Sequence, residues 1–273
     1  MKIYKNKKMK KILIAFCILF LLTGKIFSQS ENLANADKYT NMAEDFKKKS
    51  LPDSALFYYE KASIVYKTLN KMENLVNSYN QMGILLIRKN ENEKAKSVLN
   101  KALTIGLDSN NLVIATTYIS LGVVYAAQDS FVKSQFYHNK ALNIRLSLLG
   151  ENHNEVATSY GNIGNVYLRS KDFDKSIAAH LKAKDIRIKL FGENSTEINQ
   201  SYINLGNAYR EKKDYATSLA YFEKALDNKT KQLGAGHKDV GKIYKSISDV
   251  YFLMDNKAQG EIFKSKADEI SKK

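Results

Sequence analysis

The residues able to do chemistry are few. The stretch "GHKDVGKI", Gly236 to Ile243, has the G-x4-G-K spacing of a phosphate-binding loop. Such a loop needs a strand before it and a Ser or Thr after the Lys to hold magnesium. Here Ile243 follows and helical sequence precedes, which argues against nucleotide binding. His138 and His180 stand 42 residues apart in similar surroundings. Imidazole can ligate a metal, but no cysteine or carboxylate cluster joins them at ligand spacing, so core packing is the stronger reading. His153 and His237 fall in connecting segments, where a solvated role is the default. No G-x-S-x-G, H-E-x-x-H or paired-cysteine motif occurs. The sequence therefore offers no catalytic constellation and calls for no cofactor and no metal. Asn194 and Asn228 open N-x-S/T sequons, which matter only where exported proteins are glycosylated.

What must position any functional group is a repetition. "YGNIGNVY" at residues 160–167 returns as "YINLGNAY" at 202–209. Aligned on its glycine and on the alanine that closes the following helix, the chain gives Gly83 and Ala102, Gly122 and Ala141, Gly164 and Ala183, Gly206 and Ala225, each pair 19 apart. A first copy has Ala43 and Ala62 at these places, and a sixth has Ser248 and Ala267. Successive copies start 40, 39, 42, 42 and 42 residues apart, so the length variation falls between copies. That is how rigid two-helix modules on adjustable connections vary.

Each copy reads as two helices. Tyr202, Leu205, Gly206 and Tyr209 mark one apolar stripe at helical spacing, and Tyr215, Leu219, Phe222, Ala225 and Leu226 mark a second. Tyr79, Tyr118, Tyr160, Tyr202 and Tyr244 form a recurring core column. Small Gly and Ala recur where the helices must cross closely. Gly150, Gly192 and Gly234 sit where a left-handed residue can end a second helix. Asn154 and Ser195 are placed to cap the next first helix, with Glu155 and Glu197 near its positive end, and Pro52 suits a first helical position. Alternating strand patterns are absent. The expected fold is all-α.

Residues 1–28 read differently from the rest. "MKIYKNKKMKK" carries six lysines and no acid, and the apolar run "ILIAFCILFLL" is eleven residues long. A bilayer span needs about 20 apolar residues, so this is the pattern of a secretory signal with cleavage after Ser28. An uncleaved anchor is the alternative, and it would be the only membrane contact. Cys17 follows bulky Phe16 inside the run and reads as an apolar residue of the signal, which leaves the mature chain without cysteine. The whole chain carries +15; residues 1–28 hold seven lysines and no acids, so the remainder carries +8. Its lysines and acids alternate, as solvated helix faces do, and no clustered basic stripe for nucleic acid appears.

The recurrent Tyr, Leu or Ile, Gly, Tyr, then Ala or Ser, aromatic and Ala resembles the tetratricopeptide repeat. The 42-residue copies are similar to those of kinesin light chains and their bacterial relatives. The resemblance covers about residues 36–270. It departs at Asn154, where that subfamily has Pro after His, at Ala43 and Ser248 in place of glycine, and at Lys264 in place of an aromatic. The last two departures suit a terminal repeat facing water. The resemblance also gives His138 and His180 the place of an aromatic that packs between helices. It implies a superhelical solenoid of about six helix-turn-helix units, near 36–69, 76–109, 115–150, 157–192, 199–234 and 241–273, within an array spanning 29–273.

Further expectations about function follow from the resemblance. First helices line a concave wall that binds peptide segments of partner proteins. The family's concave positions map onto Asn80 and Arg88, onto Asn162, Asn165 and Arg169, and onto Asn204, Asn207 and Arg210. Amides can donate to and accept from a peptide backbone, and arginine can fork onto a carboxylate. The same asparagines can instead stitch neighbouring helices together, and sequence does not separate the two roles. The third repeat offers Ile119, Val123, Ala126 and Ala127 at matching places, either an apolar patch or plain packing.

Three readings of function result. One is an exported scaffold, periplasmic or secreted, that binds a partner protein and is not an enzyme. Another is a sensory module acting in trans on a membrane signalling protein. A structural element of a larger secreted assembly is a third. The Lys-, Asn- and Ile-rich composition points to an AT-rich bacterium of the Bacteroidetes kind. Ile262, Phe263 and Ile270 on the last helix have no following helix to cover them, which suggests a homodimer through the C-terminal end.

Overall fold

A computed structural model describes residues 32–106 and 110–272. The signal segment, its cleavage site after Ser28 and Cys17 lie outside the described residues. Among the described residues there are helices and no strands, and no helix is long and apolar enough to cross a membrane. The chain divides into two bodies, one ending at Ser109 and one running from Asn110 to Lys273. The first body pairs α1 (32–48) with α2 (Pro52–Thr68), and α3 (Met72–Arg88) with α4 (Asn92–Gly106). The second pairs α5 (Leu112–Ala127) with α6 (Phe131–Leu149), α7 (Asn154–Arg169) with α8 (Phe173–Phe191), α9 (Asn199–Glu211) with α10 (Tyr215–Leu233), and α11 (Lys238–Leu253) with α12 (Lys257–Ser271). The fold is an all-α solenoid of helix-turn-helix repeats.

The turn within each repeat has one construction. Ser50, Asn90, Asp129, Lys171, Lys213 and Asp255 all have φ between 54 and 69°. The next residue's N–H then bonds back to a carbonyl five residues earlier, as Asp172 does to Tyr167 and Asp214 to Tyr209, both at 2.9 Å. This closes the first helix and releases the chain for the second. Asp172, Asp214 and Asn256 then cap the second helices by accepting from the N–H groups of Lys175, Thr217 and Gln259. Pro52 opens α2, where its missing N–H costs nothing.

Between repeats the caps differ from expectation. His153 and His237 cap α7 and α11, each Nδ1 accepting from the N–H two residues on, at 3.2 and 3.1 Å. Asn154 is the first residue of α7 and not its cap; its Oδ1 accepts instead from Arg187 Nε at 3.3 Å. Ser195 lies in the turn before α9, which begins only at Asn199, so it caps nothing. Gly150, Gly192 and Gly234 do have positive φ, but with ψ of 172, 165 and 153°. That region is open essentially to glycine alone, and it sends the chain out extended where a left-handed cap would have curled it.

Close crossings within repeats are built on small residues. A Cβ on Gly164 would lie 2.6 Å from the His180 ring, and one on Gly206 would lie 2.7 Å from Phe222. His138 and His180, 2% and 1% exposed, are core residues. Beside the crossings, Ser134 donates to the Gly122 carbonyl and Ser218 to that of Gly206, at 2.8 and 2.7 Å. The last repeat reverses the arrangement. Ser248 on the first helix donates to the carbonyl of Gly260 on the second at 2.8 Å, and a Cβ on Gly260 would meet the Phe252 ring at 2.7 Å. Ser248 is 2% exposed, so it is an exchanged crossing residue and does not face water as a terminal cap residue would.

Aromatic rings fill the space beside the crossings. Tyr137 stacks on Tyr125 at 5.3 Å and lies 6.1 Å from Tyr118; Tyr221 repeats this with Tyr209 and Tyr202, and Phe263 with Tyr251 and Tyr244. Each first helix of the second body after α5 lies on the preceding pair through one apolar stripe: Val156, Ile163 and Val166 on α7, Ile198, Leu205 and Ala208 on α9, Val240, Ile247 and Val250 on α11, all nearly or wholly buried.

Candidate functional site

The expected wall residues divide between the two bodies. In the first, Arg88 is exposed and lines a small depression of about 220 Å³ with Lys47, Ser50 and Lys89. Asn80 is 0% exposed. Counted from the repeat glycine the reason is plain: Asn162 and Asn204 stand two residues before Gly164 and Gly206, whereas Asn80 stands three before Gly83. One residue of error turns a helical side chain by about 100°, here into the core. The residue in register is Gln81, which accepts from Lys47 Nζ at 3.0 Å.

In the second body, the first helices α7 and α9 carry the remaining positions. Arg169 from the end of α7 and Asn207 and Arg210 from α9 line one depression of about 380 Å³, together with Phe173 and Glu211. Asn165 is exposed and Asn162 half-buried on the same face of α7. Asn204 is also half-buried and accepts from Gln200 Nε2 at 2.7 Å. Arg210 is four residues past its glycine while Arg88 and Arg169 are five past theirs; the residue in their register is Glu211. The pair meets all the same, since Arg210 Nη2 donates to Glu211 at 3.0 Å.

Arg169 is not idle. Its Nη2 donates to Asp129 at 3.0 Å, and its guanidinium lies 5.7 Å from the Phe131 ring. A carboxylate arriving here exchanges with Asp129 and Glu211 and does not meet bare charge, which favours a ligand that also uses the neighbouring amides. In the third repeat Val123 and Ala127 are exposed, Ile119 is half-buried and Ala126 is buried. Only part of that row is available as a surface.

Two buried arginines stitch neighbouring repeats together. Arg145 and Arg187, 8% and 9% exposed, stand at one register of α6 and α8. Arg145 Nη1 donates to the Glu155 carbonyl and to Ser159 Oγ, both at 2.9 Å. Arg187 donates to Asn154 and Thr158 of its own repeat and to Ser201 of the next, the last at 2.7 Å. Burial pushes both guanidinium pKa values down. Asn228 adds a bond to the Glu193 carbonyl, and Asn199 one to Gln232. The sequence held one signal for these: arginine recurring at a 42-residue interval, with Lys229 at the same register of the next repeat. Among the described residues no group of three or more His, Cys, Asp or Glu is arranged to hold a metal ion.

Sequence profiles of the tetratricopeptide repeat match residues 113–195 and 197–261, more than half of the chain, and a second such profile matches 76–105. The chain belongs to the tetratricopeptide repeat family. Solved tetratricopeptide repeat structures agree in fold. BtubC (BKLC) from P. vanneervenii superposes with a TM-score of 0.65 at 18% identity, over 89% of this chain and 91% of that one. The kinesin-light-chain-like array of nearly identical repeats from Podosopora anserina gives 0.62 at 13% identity, over 71% and 93%. A signal transduction ATPase with a tetratricopeptide repeat sensor from Pyrococcus horikoshii gives 0.73 at 17% identity, over 88% of this chain and 36% of that one. No curated protein matches the tetratricopeptide repeat chain by sequence. Proteins built from these repeats serve in general as scaffolds for protein partners.

Proposed function

We propose that the chain is an exported scaffold, periplasmic or secreted, which binds a peptide segment of a partner protein along the first helices of repeats four and five. The observation that carries this reading is the depression where Arg169, Asn207 and Arg210 converge, with the Asn162 and Asn165 amides beside it. Amides at that spacing can hold an extended backbone, and the arginines can hold a carboxylate at the cost of releasing Asp129 and Glu211. Asn80 plays no direct part, because it is buried. Export rests on the lysine-rich, then apolar, residues 1–28.

The test is affinity capture from envelope extract with the tagged chain, beside an Asn162→Ala, Asn165→Ala, Asn204→Ala, Asn207→Ala variant shown by circular dichroism to be folded. A partner lost with the variant supports recognition on this wall. A partner retained equally by both places recognition elsewhere. Intact-mass analysis of exported protein reads the signal separately, since a retained residue 1 refutes cleavage after Ser28. A sensory role in trans is the second reading, favoured by the likeness to the repeat sensor of the Pyrococcus ATPase. A cytoplasmic partner captured with the signal still attached would select it.

A further inference from the structure

The last repeat leaves a groove where the other repeats of the second body receive a helix. Between α11 and α12 lies a cleft of about 550 Å³ that runs from Lys238 to Phe252. These residues are 14 apart, roughly 21 Å of helix at 1.5 Å per residue, long enough to seat a helix of about four turns. Inside the second body the matching side of each pair is covered by the next first helix, through apolar residues spaced i, i+7 and i+10.

Two features set this groove apart from the covered ones. Its walls carry lysines: Lys242, Lys245 and Lys264 stand where the preceding repeat has Gln200, Ile203 and Phe222. With Lys238 they outnumber the lining aspartates, Asp249 and Asp268, while Lys242 also pairs with Asp239 at 2.9 Å and Lys264 with Glu261 at 3.5 Å. Phe252 lines its far end. Phe252 and, past the groove, Leu253 and Met254, 37, 55 and 44% exposed, replace the charged run Arg210, Glu211 and Lys212. A repeat that merely faced water would be charged along its whole length. This one keeps an apolar floor, with Ala267 and Ile270, beneath a basic rim.

We infer that the α11–α12 groove is a second docking site, distinct from the first-helix wall, and that its occupant is an amphipathic helix of a partner with acidic residues flanking its apolar stripe. Charge complementarity selects this occupant over a second copy of the chain. Two such ends meeting face to face would set lysine against lysine. Phe263, moreover, is committed to the stack between Tyr251 and Tyr244 and is not a free dimer contact.

The probe is a synthetic 18-residue peptide with valine and isoleucine at the spacing of Val240, Ile243, Ile247 and Val250 and glutamate on both flanks. Its twin has lysine for each glutamate. Fluorescence anisotropy against the full chain should show the acidic peptide bound about tenfold or more tighter than the basic one, with the margin shrinking in salt. A Lys242→Glu, Lys245→Glu variant changes exposed residues only, and should reverse the preference. Equal affinities, no saturation by the acidic peptide, or a preference unchanged in the variant would overturn the proposal. So would self-association in sedimentation equilibrium that Ala267→Arg abolishes, because the groove would then belong to a second copy.

Discussion

His138 and His180 allow a quantitative test of how the repeats are packed. Each ring is pressed on a glycine, and its pKa is lowered from 6.5 to about 4 by burial, joined at His180 by the nearby charge of Arg187. A buried neutral histidine weakens the fold in acid, because the unfolded chain takes up the proton that the folded chain refuses. Stability is thus full near pH 7, falls as pH drops through 6.5, and stops falling near pH 4. At pH 5 the linkage comes to about 2 kcal/mol for each ring and about 4 for both. Phe222 occupies the same register against Gly206, so phenylalanine is the natural replacement. Urea unfolding of the chain and of the His138→Phe, His180→Phe variant, at pH 7 and pH 5, should show the first losing about 4 kcal/mol more than the second over this interval. Carboxylates are shared by both proteins and cancel in the difference. Equal losses, or His138 and His180 resonances, assigned by their loss in the variant, titrating near 6.5 in the folded protein, would refute the packing argument.

Other perturbations have expected signs. Lys213 holds φ at 69°, a strained place for lysine, so Lys213→Gly should raise stability by about 0.5–1 kcal/mol in urea unfolding despite the entropy glycine adds to the unfolded chain. Arg187→Ala strips hydrogen bonds from Asn154, Thr158 and Ser201 and should cost about 2–3 kcal/mol, read as an earlier thermal midpoint. Gly206→Ala drives a methyl to 2.7 Å from Phe222 and should destabilise by about 1–3 kcal/mol, a loss that Gly236→Ala, with open space around it, should not share.

The repeat, its helix pairs and its small-residue crossings are legible in the sequence because they are periodic, and periodicity survives without knowledge of neighbours in space. What escapes is local. Asn80 matches the wall by its type but not by its distance from Gly83, and the one-residue difference buries it. Asn154 looks like a cap because asparagine caps well, yet His153 precedes it and takes the role, which frees Asn154 for Arg187. Such choices depend on which neighbour across a repeat boundary needs an acceptor, and a linear sequence does not show that neighbour. The exchange of Ser248 and Gly260 is hidden for a related reason. Sequence shows a glycine lost at one register, whereas the crossing needs only one small partner on either helix.

The stitches also grade the array in time. Where Arg145 and Arg187 hold the junctions into repeats four and five by several bonds each, the matching residue at the junction into repeat six is Lys229, which reaches Asp239 only at 4.0 Å. In a solenoid each repeat leans on its neighbours alone, so the weakest junction sets where fraying begins. Amide protons of α11 and α12 therefore exchange with solvent before those of α7 and α8, and an occupant of the terminal groove would act as a latch on the part of the molecule that opens first.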